Sequence, residues 1–138
     1  MKNRLRVVYL LLCLSVGGCA TAPDVKVRVL DAASRAPVSD VAIEDLTLNY
    51  TGVKSLEVAD SRLGKTGADG LYVIKRVNLY SRSHTISFAK PGYERMDFVL
   101  WKYEGQPFGK VVNARNEDVI PPFRLTDSTV VEISMRRK

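Results

Sequence analysis

The sequence predicts an all-β fold, a β-sandwich of about seven short strands, preceded by a helical leader that is cleaved away. Three observations carry this. Apolar residues recur with period two from Val25 to Met135, as they do along strands with one face buried. Clusters of Gly, Pro, Asp and Asn punctuate the runs. Beyond the leader, no stretch carries a sustained apolar stripe at helical spacing.

The elements follow in order. Lys2, Arg4 and Arg6 precede an apolar run from Val7 to Val16, and Gly17-Gly18-Cys19-Ala20 closes it. A basic start, a short apolar stretch and small residues before a cut site make a secretory signal peptide. The run is too short for a transmembrane anchor, which needs about 20 residues. Val25, Val27 and Val29 then alternate with Lys26 and Arg28. A polar turn from Asp31 to Pro37 leads to Val41 and Ile43, and Leu46, Leu48 and Tyr50 continue the alternation. Residues 53–65 read as an edge strand or a loop, with Leu56 and Val58 among charged neighbours.

Thr66-Gly67-Ala68-Asp69-Gly70 is a turn, because Asp-Gly supplies the positive φ that tight turns need. Tyr72 and Ile74 are in phase after it, and Ile86 and Phe88 form the next strand, with His84 in phase at its start. Lys90-Pro91-Gly92 has the order of a type II turn. Gly70 and Gly92 are expected where a side chain would clash. Met96, Phe98 and Leu100 alternate with Asp97, Val99 and Trp101, and Val131, Ile133 and Met135 make the last strand. The stretch 102–123, with Gly105, Pro107, Gly109, Pro121 and Pro122, reads as one long loop. Loops longer than about 12–15 residues in compact domains are usually functional.

Gly17-Gly18-Cys19 resembles a bacterial lipobox. The resemblance implies that residues 1–18 are removed, that the Cys19 thiol takes a diacylglycerol and the new amine an acyl chain, and that residues 19–24 are a lipidated tether. Ala20 after the cysteine implies sorting to the outer membrane, facing the periplasm. Cys13 would leave with the leader, so the domain from 25 to 138 is expected to fold without a disulfide or free thiol. Three of the 21 Lys and Arg lie in the leader, leaving 18 against 15 Asp and Glu in residues 19–138. That slight excess does not point to nucleic acid. The tail Arg136-Arg137-Lys138 could touch anionic head groups or wall polymers, but is expected to be a solvated end.

Laid end to end, the strand Val25–Asp31 with Ala36-Pro37-Val38, the run Thr66–Ile74, and Ile86–Phe88 ending in Lys90-Pro91-Gly92-Tyr93 resemble the carboxypeptidase regulatory-like domain. The match covers residues 25–100. The resemblance implies a transthyretin-like, prealbumin-like Greek-key sandwich and a binding or spacing role. The hydroxyisourate hydrolases of that fold need several histidines and a Tyr-Arg-Gly-Ser end. This chain has one, His84, and ends Met-Arg-Arg-Lys. No zinc set, calcium loop or nucleophile motif is legible, so no cofactor and no enzymatic activity are expected.

The expectation is a non-enzymatic, lipid-anchored envelope protein acting through protein–protein contacts. The candidate binding residues are Trp101, Tyr103, Phe108, Lys110 and Arg115, with Glu117 and Asp118 beside them. Aromatics there would bind a partner or stack on a carbohydrate such as peptidoglycan; the plainer expectation is that they plug the end of the sandwich.

Overall fold

A computed structural model describes residues 24–47, 62–75 and 83–138. The leader, Cys19, the strand expected through Leu48 and Tyr50, and Leu56 and Val58 lie outside them. Among the described residues nine strands form: β1 Val25–Asp31, β2 Ala42–Asp45, β3 Arg62–Lys65, β4 Leu71–Ile74, β5 His84–Ala89, β6 Met96–Tyr103, β7 Gln106–Asn113, β8 Asp118–Arg124 and β9 Val130–Met135. No α-helix occurs among these residues, and no helix there is long and apolar enough to cross a membrane.

The strands make two sheets, one ordered β4-β1-β9 and the other β3-β2-β5-β6-β7-β8. β1 pairs antiparallel with β4 and parallel with β9, so the first and last strands are neighbours. The alternation Val-Lys-Val-Arg-Val explains β1: its valines are buried while Lys26 and Arg28 stay in water. From the other sheet, Ile43, Ile86, Phe88, Phe98 and Leu100 meet Val27, Ile74, Ile133 and Met135 in a single core. The molecule is thus all-β and sandwich-like.

The crossings between sheets define two ends. β1 to β2 and β3 to β4 cross where Asp31, Ala42 and Leu71 lie, the end that also holds the β5–β6 and β7–β8 turns. β4 to β5 and β8 to β9 cross at the end where Ile74, His84, Arg124 and Val130 lie. Val25 pairs with Ile74, so the chain enters at this second end, which also carries the β6–β7 hairpin tip.

At the first crossing, buried Thr66 donates from Oγ1 to the Val38 carbonyl (2.8 Å) and accepts from Val41 N–H (3.0 Å). Gly70 has φ +72°, and a Cβ there would drive into the Val29 carbonyl oxygen. Gly92 has φ +84° with open space around it. The clash expected at Gly92 is therefore corrected: its backbone angle, in a turn closed by Tyr93 N–H to Lys90 O (3.0 Å), is what requires glycine.

The long loop expected over 102–123 is also corrected. These residues form the end of β6, all of β7 and most of β8. Glu104 (φ 47°) and Gly105 (φ 75°) make a two-residue hairpin turn with both angles positive. Pro121 and Pro122 sit on β8, an edge strand, opposite the register shift between Gly109 and Val111, a bulge where the ladder is interrupted. The polar stretch after Val112 is a tight turn in which Asn113 Oδ1 accepts from Arg115 N–H (2.9 Å) and Glu117 N–H (3.0 Å).

The tail is not a free end. Arg137 Nε donates to Asp31 Oδ2 (2.8 Å), and the guanidinium lies over the Tyr93 ring, 5.7 Å from its centroid. Asp31 is 3% exposed and also accepts from Tyr93 OH (3.0 Å), Ser34 N–H (2.9 Å) and Ala33 N–H (3.0 Å). The Ser34 N–H, then Arg137, holds its carboxyl well below the usual carboxylate range. A depressed folded pKa stabilises above the unfolded value, near 3.9, and the contribution fades as pH falls through that value toward the folded one. Asp31→Asn should therefore melt lower than the wild type at pH 7, with the gap narrowing below about pH 4. Parallel melting curves from pH 7 to pH 2 would show that the carboxylate contributes nothing.

Candidate functional site

β6 sends Phe98 and Leu100 into the core, both fully buried. Period two then sends Val99, Trp101 and Tyr103 to the outer face of the six-stranded sheet. Trp101 stands opposite Phe108 on β7, and the two rings stack with centroids 6.1 Å apart and planes 18° from parallel. Tyr103 meets Phe108 edge-on at 6.5 Å and is 61% exposed. The aromatics therefore pave an outer face and do not plug the end of the sandwich. Strand parity decides this, since a plug would have to share the side of Leu100.

Lys110 lies two positions along β7 from Phe108, on the same face and opposite Val99. Its ammonium donates to Asp118 Oδ1 (3.0 Å) on β8. Arg115 does not join this group. It sits in the β7–β8 turn, at the opposite end of the sheet from the hairpin tip. The five candidate residues thus divide into an aromatic trio, an adjoining ion pair and a remote arginine.

That remote arginine belongs to a second feature. A groove of about 630 Å³ at the turn end is lined by Arg95, Arg115, Arg136 and Lys138, with Glu94 and Glu117. Of the cations only Arg115 was a candidate from sequence. The alternation within Arg136-Arg137-Lys138 was the available signal: once Arg137 is tied to Asp31, its neighbours must face the other way.

His84 is partly buried at the start of β5, with Nδ1 3.3 Å from Asp45 Oδ2. Asp45 Oδ1 accepts from Thr47 N–H (3.0 Å), and Thr47 Oγ1 from Thr85 N–H (2.9 Å). The histidine thus ties β2 to β5. Among the described residues no group of three His, Cys, Asp or Glu is placed to hold a metal ion. On the outer face, Asp97 pairs through Oδ2 with Arg95 (2.9 Å), while its buried Oδ1 has no hydrogen-bond partner. No protein-family model and no curated protein matches the chain.

Proposed function

We propose that this chain is a non-enzymatic, lipid-anchored binding module of the cell envelope, built on a transthyretin-like Greek-key sandwich similar to the carboxypeptidase regulatory-like domain. Cys19 carries the lipid, residues 20–24 are the tether, and the outer face around Trp101, Tyr103 and Phe108 takes a protein partner. The outer membrane, facing the periplasm, is the proposed address.

The observation that carries the reading is the aromatic trio at the hairpin-tip end of the outer sheet face, where Tyr103 is 61% exposed. Protein interfaces combine an aromatic centre with a polar rim, and here the Lys110–Asp118 pair borders the rings. A carbohydrate platform would offer several open ring faces. Trp101 and Phe108 spend theirs on each other, leaving Tyr103 the exposed ring, which favours a protein over a sugar.

The test places a photo-cross-linking residue at position 103 of the full chain, expressed in a Gram-negative host with a matched control at exposed Arg28. The expected result is a discrete protein adduct in the membrane fraction at 103, absent at 28, and lost together with membrane retention in Cys19→Ser. Membrane retention that survives Cys19→Ser would refute the anchor. Adducts to peptidoglycan fragments alone would move the reading to a wall binder.

A further inference from the structure

The groove at the turn end is a preorganised cationic site. Arg95 is committed to Asp97, and Glu117 Oε2 accepts from Asn113 Nδ2 (2.7 Å). Among the described residues, the charged heads of Arg115, Arg136 and Lys138 make no hydrogen bond or ion pair. Three unpaired cations therefore share the groove with two carboxylates, Glu94 and Glu117, and outnumber them.

The backbone beneath each cation is fixed. Glu94 N–H donates to Arg136 O (2.8 Å) and Lys138 N–H to Gly92 O (2.9 Å), which clamps the tail along the β5–β6 turn. Arg137 between them points to Asp31, so Arg136 and Lys138 share the opposite side. Arg115 is held by the Asn113 side chain and by the left-handed Asn116 (φ 61°), whose N–H donates to Asn113 O (2.9 Å). Fixing the supports beforehand lowers the ordering cost of binding.

We propose that this groove binds the phosphate groups of a polyanion, with the anion held among Arg115, Arg136 and Lys138. A phosphate group presents several strong acceptor oxygens around one centre, and guanidinium forks match that geometry with paired charge-assisted hydrogen bonds. A single carboxylate would engage one fork and leave the other cations unused.

The source of the phosphate follows from the tether, and this step alone rests on the Cys19 reading. The chain enters at Val25, and the groove lies at the other end of the sandwich, roughly 23 Å away along a seven-residue strand. An anchored molecule turns the groove away from its own bilayer. The ligand is then a phosphate group on a soluble or wall-bound polymer, not a lipid head group of the membrane that holds the protein.

The full-length lipidated protein in neutral maltoside micelles is titrated calorimetrically with long-chain polyphosphate. Arg115→Gln combined with Arg136→Gln should weaken binding about tenfold or more, since each loses a charge-assisted bond. Lys26→Gln combined with Arg28→Gln removes equal charge from the exposed face of β1 and should change it less than threefold, about what screened charge at that distance allows. Both pairs are exposed, so unchanged melting temperatures verify folding. Equal losses in the two pairs, or no binding by the wild type, would overturn the site. For the source, the protein carries an environment-sensitive dye at Ala114→Cys and sits in phosphatidylcholine vesicles. A response to added polyphosphate, with none when phosphatidylglycerol is included in the bilayer, is the expected outcome. A response to the lipid would overturn the assignment to a soluble polymer while leaving the phosphate site standing.

Discussion

Phe98→Ala should cost about 3–5 kcal/mol, a large share of the 5–15 kcal/mol that holds a domain of this size. Phe98 is fully buried in β6, opposite Ile86 on β5 and Val111 on β7. Its ring stacks on Phe123 with centroids 6.1 Å apart and planes 4° from parallel. It also lies over Gly109, where a Cβ would come within 2.5 Å of the ring. Removing the ring exposes a site that Gly109 has no side chain to fill, so the cavity persists and the full penalty is paid. Val99→Ala, one residue along but on the outer face, should cost about 1 kcal/mol or less because water already reaches it. Denaturant midpoints of the two variants check the contrast. A Phe98→Ala melting temperature within about 2 °C of the wild type would mean that the sheet faces are assigned the wrong way round.

The assignment of faces is also where the sequence was most legible. Alternation grouped Val25, Val27 and Val29, then Phe98 and Leu100, then Val131, Ile133 and Met135, each set on one side of its strand, and all eight are buried. The rule works because strand side chains repeat every two residues and a buried face tolerates no slip. It failed over 102–123 because prolines and glycines, read as loop punctuation, serve there as edge-strand residues and as a partner surface for an aromatic ring. Pro121 and Pro122 are tolerated because they sit at a bulge on β8, which has a neighbour on one side only. No periodicity can announce which strand is an edge, since that depends on the whole sheet order.

The candidate site was legible in the same partial way. Trp101, Tyr103 and Phe108 are close in sequence, so a hairpin brings them together and they could be listed as a group. The groove draws on the β5–β6 turn, the β7–β8 turn and the tail. Its residues become neighbours only after the fold forms. The clamp that aims it, Asp31 with Arg137, joins residues 106 positions apart. Arg115 was grouped with the aromatics because it follows them in the chain, although a full strand length separates them in space.

Replacing residues 105–119 with a short Gly-Ser linker should abolish cooperative folding, contrary to what a loop reading of this stretch implies. The replacement removes all of β7 and the first residues of β8. β7 is in register with β6 from Met96–Asn113 to Tyr103–Gln106 and also pairs with β8, so both neighbours lose a ladder. Backbone groups of β6 that are now paired would have to find water, and those beside Phe98 and Leu100 lie at the core. Val111 would leave with the strand, and Phe123 would lose the sheet that holds its ring against Phe98. Far-ultraviolet circular dichroism without a sigmoidal thermal transition is the expected result. A sharp transition near the wild-type midpoint would restore the loop reading and separate Phe123 from the core. The consequence for function is practical. Deleting the segment cannot distinguish a lost binding face from a lost fold, whereas Tyr103 and Arg115, both exposed, can each be altered with the sheet intact.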